Sequence, residues 1–252
     1  MKTLLTLLLG LATLTPALLA GNYAASEKFA HTYPISDHGE LSLENVNGSV
    51  EIVAWDKPEI SLEAEKRANN TDDLQLITLK IEASPDRLSI KTEHQKSGWF
   101  NFSIKGEVRY VLKVPAGLIL RHIEAVNAQI TIRGVRGLVT AETVNGSLHV
   151  EGLAANTHLE TVNGGINASF DSVASDQTIS IETVNGSCTL RLPSATDAYL
   201  KAETVNGGIK CDLPIKTDKT GRNKLHGQLG QSNDAKINIE TVNGGITVQL
   251  SE

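Results

Sequence analysis

Glu142, Glu160, Glu182, Glu203 and Glu240 each stand three residues before an Asn-Gly pair, inside the repeated string Glu-Thr-Val-Asn-Gly. Glu124 holds the same place in a degenerate copy, Ile123-Glu124-Ala125-Val126-Asn127-Ala128, that lacks the glycine. Stacked one coil above the next at about 4.8 Å, these carboxylates would form a column of like charges. Two unit charges about 4 Å apart repel by roughly 1 kcal/mol in water, and by more near a protein surface. Something must offset that: hydrogen bonds from Thr or backbone N–H groups, partial protonation, the neighbouring Lys201, or a bound cation. Calcium takes roughly six to eight oxygens, whereas the motif offers one carboxylate per coil. The Asp-rich nonapeptide of calcium-binding β-rolls is missing as well. A solvated or hydrogen-bonded edge therefore fits better than a metal site, and neither a metal nor another cofactor is expected.

The asparagines beside them, Asn145, Asn163, Asn185, Asn206 and Asn243, read as a structural turn ladder. Asn tolerates the positive φ that a tight turn demands, and the adjoining Gly has no Cβ to clash. Stacked amides can also bond from coil to coil, each contributing about 0.5–1.5 kcal/mol. The histidines do not converge: His149 and His158 fall at different places in the repeat, and the others are scattered. No His/Cys/carboxylate spacing suggests zinc, and no Ser or Cys nucleophile has a base placed by a motif. A polysaccharide-cleaving solenoid with a groove of carboxylates is the enzymatic alternative; the expectation is no enzyme. Trp99 and Phe100, in Lys96-Ser97-Gly98-Trp99-Phe100, either plug the end of the core or form a loop platform for a sugar or peptide.

The elements that must position these side chains follow from the repeat itself. From Asn127 onward the turn asparagines lie 18, 18, 22, 21 and 37 residues apart. Apolar residues alternate on both sides of each turn, as in Ile179 and Ile181 before Asn185 and Cys188, Leu190 and Leu192 after it. Two strands of about 5–6 residues and two bends fill such a period, so each repeat fits one coil of a narrow β-solenoid. A meander of Asn-Gly hairpins is the competing fold, but it gives no reason for the same six residues to return. The expected fold class is all-β, a solenoid of stacked 18–22-residue coils spanning 118–252. A strand-rich half, residues 21–117, caps it, with room for a short helix in Asp72–Ile81. The polar stretch 216–234 breaks the period and is expected to protrude as a loop. Ile237–Leu250 would then be the end rung, leaving a C-terminal edge open to self-association. Cys188 and Cys211 would sit on neighbouring coils with Cα atoms near 8 Å apart, beyond the usual disulfide limit of about 6.8 Å. Both are expected as buried, reduced thiols.

Residues 1–20 read as a signal peptide: Lys2, an apolar run from Leu4 to Leu14, Pro16, and small residues at Ala17 and Ala20. An uncleaved membrane anchor is the alternative, though the apolar run is short for a span. The net charge of −6 argues against a nucleic-acid partner, which would favour a basic face. Aromatics make up only 4% of the chain, which suits repeated layers of aliphatic residues.

An early Asn47-Gly48-Ser49-Val50-Glu51-Ile52 is followed by Trp55-Asp56, then by Tyr110-Val111-Leu112-Lys113-Val114-Pro115, and then by the ladder of Thr-Val-Asn-Gly turns. On these residues the chain resembles a bacterial adhesin family, β-repeat proteins largely of undefined function. The resemblance implies an all-β, ladder-like fold on an exported bacterial protein; Asn127-Ala128 departs from the pattern. The function expected is an exported, non-catalytic, envelope-associated binding or adhesion module contacting a protein or glycan of the periplasm or cell surface. The alternative is a periplasmic structural or envelope-stress accessory without an adhesive role.

Overall fold

The computed structural model describes residues 23–95 and 106–251. The expected signal peptide at 1–20 and the Trp99–Phe100 stretch lie outside the described residues. The N-terminal half contributes β1 (Ala25–Pro34), β2 (Glu40–Trp55), β3 (Glu59–Ala68), the short helix α1 (Thr71–Gln75), β4 (Ile77–Ser84), β5 (Arg87–His94) and β6 (Gly106–Pro115). The repeats contribute β7 (Ile119–Arg133), β8 (Val139–Asn145), β9 (Leu148–Leu153), β10 (Thr157–Asn163) and β11 (Ile166–Phe170). They continue with β12 (Thr178–Asn185), β13 (Cys188–Leu192), β14 (Ala198–Asn206) and β15 (Ile209–Cys211). Last come β16 (Ile215–Gly221), β17 (Lys224–Leu229), β18 (Ala235–Asn243) and β19 (Ile246–Leu250).

The strands stack as coils with one strand before the turn and one after it, so two sheets face each other across a single aliphatic core. On the first face the ladder runs β5–β2–β7–β8–β10–β12–β18–β14, all parallel. On the second it runs β6–β2–β7–β9–β11–β13–β19–β15, also parallel. Strand β2, with its Asn47 copy of the motif, is thus the first coil, and Asn47 pairs with Asn127 in register. Alternation sends every second side chain inward; Ile179, Ile181, Cys188 and Leu190 of one coil lie beside Ile237, Ile239, Ile246 and Val248 of the next, all buried. Burial of each such side chain stabilises the fold by about 1.5–3 kcal/mol. Antiparallel pairs close the N-terminal end, β1 on β3 on β6 and β4 on β5. Helix α1 lies in the region expected to hold a helix; the side chain of its N-cap Asn70 accepts the Asp73 N–H at 2.7 Å, and Leu74 is buried.

The order of coils corrects the expectation in one respect. The 235–250 rung does not end the stack: it inserts between the coil 178–192 and the coil 198–211, and pairs with both. The stretch 216–234 is not a protruding loop either. Its β16–β17 hairpin lies antiparallel on β14, in the register Ala198 to Leu229 through Glu203 to Lys224, and covers the edge that β14 would otherwise expose. Unpaired backbone N–H and C=O groups at a sheet edge invite other strands, and the hairpin occupies them with Leu225 and Leu229 turned inward. Its own outer strand, β16, carries Lys216 and Lys219 in exposed positions, the charged edge that resists strand addition.

Beyond the first coil, whose Gly48 has positive φ, the turns owe their glycines to stacking and not to φ. Positive φ occurs only at Gly48, Gly134, Gly152 and Gly230 among the described residues, so no turn asparagine adopts it. A Cβ at Gly146, Gly164, Gly186, Gly244 or Gly207 would instead overlap the turn carbonyl oxygen of the adjacent coil. Where Ala128 replaces the glycine, β7 runs through the bend as continuous strand.

The insertion also separates the two thiols. Cys188 pairs with Ile246 and Cys211 with Val248, so a whole rung lies between them. Both are free; Cys188 is buried, but Cys211, on the short outer strand β15, is only partly so, against the expectation that both are buried. Burial pushes the Cys188 thiol up to about 12 from 9.0, and burial pushes Tyr110 up to about 12 from 10.0 despite its hydrogen bond to Thr92. Each neutral form is therefore favoured by folding. The stability they contribute is complete below about pH 9 and is lost as pH rises toward about 12. The expected results are a melting temperature that declines above pH 9, and alkylation at pH 8 that modifies Cys211 well before Cys188, read by peptide mass mapping.

Candidate functional site

The outward residues of the first face fall into straight columns because the ladder is in register from end to end. One column is Glu44, Glu124, Glu142, Glu160, Glu182, Glu240 and Glu203, in spatial order. Two residues further along each strand stand Val46, Val126, Val144, Val162, Val184, Val242 and Val205. Alternation turns these valines toward solvent: Val144 is 41% exposed and Val205 64%. The threonine between them points inward, and its hydroxyl donates to the turn carbonyl of the adjacent coil. Thr161 bonds Gly146 O at 2.9 Å, Thr183 bonds Gly164 O at 3.1 Å, and Thr241 bonds Gly186 O at 3.0 Å.

The asparagine column beside the valines is tied amide to amide. Asn127 donates to Asn47 at 2.8 Å, Asn145 to Asn127 at 2.8 Å, Asn163 to Asn145 at 2.9 Å and Asn185 to Asn163 at 2.9 Å. Asn243 then donates to Asn185 at 2.8 Å, and Asn206 to Asn243 at 2.9 Å. Every donor points toward the N-terminal end, so the amides share one direction and hold the adjoining valines and glutamates in line. Glu and Val together border a shallow groove of about 340 Å³, running from Lys91 and Glu44 to Glu160 and Val162.

Repulsion in the glutamate column is relieved mainly at its two ends. Lys91 Nζ lies 2.6 Å from Glu44, and that ion pair raises the lysine's pKa. At the other end Lys201 Nζ lies 2.7 Å from Glu240 and 3.9 Å from Glu203, while Lys224 and His226 of the hairpin reach Glu203 at 3.4 and 2.9 Å. Desolvation acts to raise the Glu203 pKa, but Lys201, Lys224 and His226 together outweigh it and hold the carboxyl below its ordinary value. In the middle the partners are weaker. His122 stands 2.9 Å from Glu124, His158 stands 3.8 Å from Glu160, and Ser180 donates to Glu182 at 3.0 Å. Glu142 has no basic side chain within 4 Å among the described residues. Exposed pairs of this kind contribute about 0–1 kcal/mol each, so the face keeps an acidic centre between charge-paired ends.

Of the offsets expected from the sequence, Lys201 is present, whereas the threonine hydroxyls serve the turn carbonyls and not the glutamates. The histidines are less scattered than expected. His122 and His158 both lie five residues before a turn asparagine and fall in one column beside the glutamates, and His226 joins them from the hairpin. Aligning the repeats on their asparagines reveals the first two; Lys91 and His226 come from outside the repeats and leave no such signal. Among the described residues no group of three or more His, Cys, Asp or Glu side chains is placed to hold a metal ion. No helix there is long and apolar enough to cross a membrane.

Parallel coils, an amide ladder and glycine turns packed carbonyl to carbonyl define a repeat of known type: residues 139–249 match the family model Toastrack DUF4097. That match covers the coils from β8 to β19, and the fold is the β-solenoid that the period predicts. A provisionally assigned cell adhesion protein from Clostridium sporogenes has a similar structure at 16% identity, with a TM-score of 0.51 over 90% of this chain and 100% of its own. A provisionally assigned adhesin from Bacteroides fragilis aligns at 8% identity and a TM-score of 0.41, over 94% of this chain and 100% of its own. No curated protein matches the chain in sequence. The resemblance to the adhesin family of undefined function, drawn from the Thr-Val-Asn-Gly turns, therefore stands.

Proposed function

We propose that the protein is a non-catalytic binding module of the bacterial envelope, exported by the segment 1–20, which contacts its partner through the glutamate and valine columns. One observation carries this reading: of seven valines in register, Val126, Val144, Val184, Val242 and Val205 stay exposed and Val46 and Val162 are half-buried, on a face whose interior side is fully packed. Burying them in the core would require only a one-residue shift of register, and the buried threonines and amide ladder forbid that shift. A rigid, flat, periodic surface loses little conformational entropy on binding, which favours affinity through many weak contacts. The partner is an envelope or surface component, protein or glycan. The names of the similar structures, cell adhesion protein and adhesin, agree with a binding role.

The test compares the secreted chain with two double variants on isolated envelope of the source bacterium, scored by surface plasmon resonance. Val144→Asp with Val184→Asp alters the proposed face; Thr189→Asp with Thr247→Asp alters the opposite one. Both pairs are outward-facing, so the circular dichroism spectrum should remain that of the parent. The first variant should lose binding at least tenfold and the second should keep it. Equal binding by all three would remove the valine face from the function.

A further inference from the structure

The 235–250 rung is held by its neighbours in an unusual way. Among the described residues, the coil 198–211 joins the ladder of the stack only through this rung: β14 pairs with β18 and β17, and β15 pairs with β19. The rung therefore fills a slot between two coils that both precede it in the sequence. Both walls of the slot present the same string that the rung carries: Glu-Thr-Val-Asn-Gly at 182–186 and 203–207, meeting 240–244. The contacts that hold it, two backbone ladders and the bonds of Asn243 to Asn185 and of Asn206 to Asn243, are made with the repeat motif. Nothing in them distinguishes a rung of the same molecule from that of another. The tether is a single exposed connection, 230–234, which passes over β14 and is clipped where Asp197 accepts the Gln231 N–H at 2.6 Å.

We propose that this slot is a strand-pair binding site whose second ligand is the 235–250 rung of another copy of the chain, giving an exchanged dimer. Exchange keeps every ladder bond and changes only the course of 230–234, the low-cost route to association that identical elements allow. The inference rests on the coil order and not on the proposed partner of the valine face. A face-to-face dimer through that face is a poorer alternative, since it would set the acidic centres, Glu142 among them, against each other.

The experiment uses full-length chains in which Cys188 and Cys211 are replaced by Ala. One population carries Thr189→Cys and the other Thr247→Cys, partners across the β13–β19 ladder. They are unfolded together, refolded at high concentration and oxidised. A mixture of Thr189→Cys and Lys210→Cys chains, whose cysteines stand a rung apart, is the control. Trans occupation should give a cross-linked dimer at least tenfold above the control; equal yields would overturn the proposal. A second variant deletes residues 231–234. Two Cα steps then span at most about 7.6 Å, less than the roughly 9.6 Å of two strand spacings, so the rung cannot return to its own slot. This variant should elute at twice the monomer mass, and a folded monomer would contradict the proposal. Should the deletion fail to fold, the mixed cross-linking alone decides.

Discussion

Gly186→Ala is expected to destabilise the protein by about 3 kcal/mol, whereas Gly208→Ala should leave stability within about 0.5 kcal/mol. Both glycines lie in copies of the turn, Gly208 one place further along, where Ser187 follows Gly186. At Gly186 an added Cβ would overlap the carbonyl oxygen and carbon of Gly164, in the middle of the stack. That carbonyl is already fixed by the Thr183 hydroxyl, so it cannot retreat without breaking the bond at 3.1 Å. Gly208 has nothing within 4 Å of the same atom. Neither has positive φ, so the contrast isolates the packing of coil on coil from the conformational freedom of glycine. Urea unfolding reads it as a lower midpoint for the first variant at unchanged slope. Similar losses at both positions would show that a backbone conformation closed to alanine, and not the close approach, explains these glycines.

Deleting residues 235–252 should have the largest effect of all, because it withdraws an interior rung. Ile237, Ile239, Ile246 and Val248 are buried, and at about 1.5–3 kcal/mol each they represent roughly 6–12 kcal/mol of burial. The net stability of a domain is only about 5–15 kcal/mol. The loss is nevertheless expected to be local, since each coil contacts only its neighbours. Limited proteolysis should cut within 193–234 and leave the coils from 40 to 192 as a resistant core with β-rich circular dichroism. Degradation of the whole chain at one rate would mean that the coils do not behave as semi-independent layers.

How far the sequence could be read depended on which interactions the repeat itself encodes. The 18–22-residue period, the inward aliphatics and the turn asparagines were legible because each coil repeats them, and they specify a solenoid and its register. The order of the coils was not legible, and the reason is the same repetition. Ile181–Ser187, Ala202–Gly208 and Ile239–Gly245 carry nearly the same string, so any of them can stack on any other. The signal that could have raised the question was the 37-residue gap between Asn206 and Asn243. A hairpin of alternating residues, with Leu225 and Leu229 turned inward, lay within what looked like a polar loop. The charge relief of the candidate face was half legible for a similar reason. Lys201, His122 and His158 sit inside the repeat, whereas Lys91, Lys224 and His226 reach the glutamates from elements that follow no period.

The coil order carries both the charge pattern of the valine face and the proposed exchange, and disulfide trapping in dilute monomer tests it most directly. Thr189, Thr247 and Lys210 hold the same place in three coils. Cα atoms of directly paired residues on adjacent strands, about 4.8 Å apart, lie within the disulfide range of about 4.4–6.8 Å, while a rung between them takes them well outside it. With Cys188 and Cys211 replaced by Ala, Thr189→Cys with Thr247→Cys is expected to oxidise to an intramolecular disulfide, and Thr189→Cys with Lys210→Cys to remain two free thiols. A disulfide between positions 189 and 210, with 189 and 247 left free, would put the coils in sequence order and contradict the inserted rung.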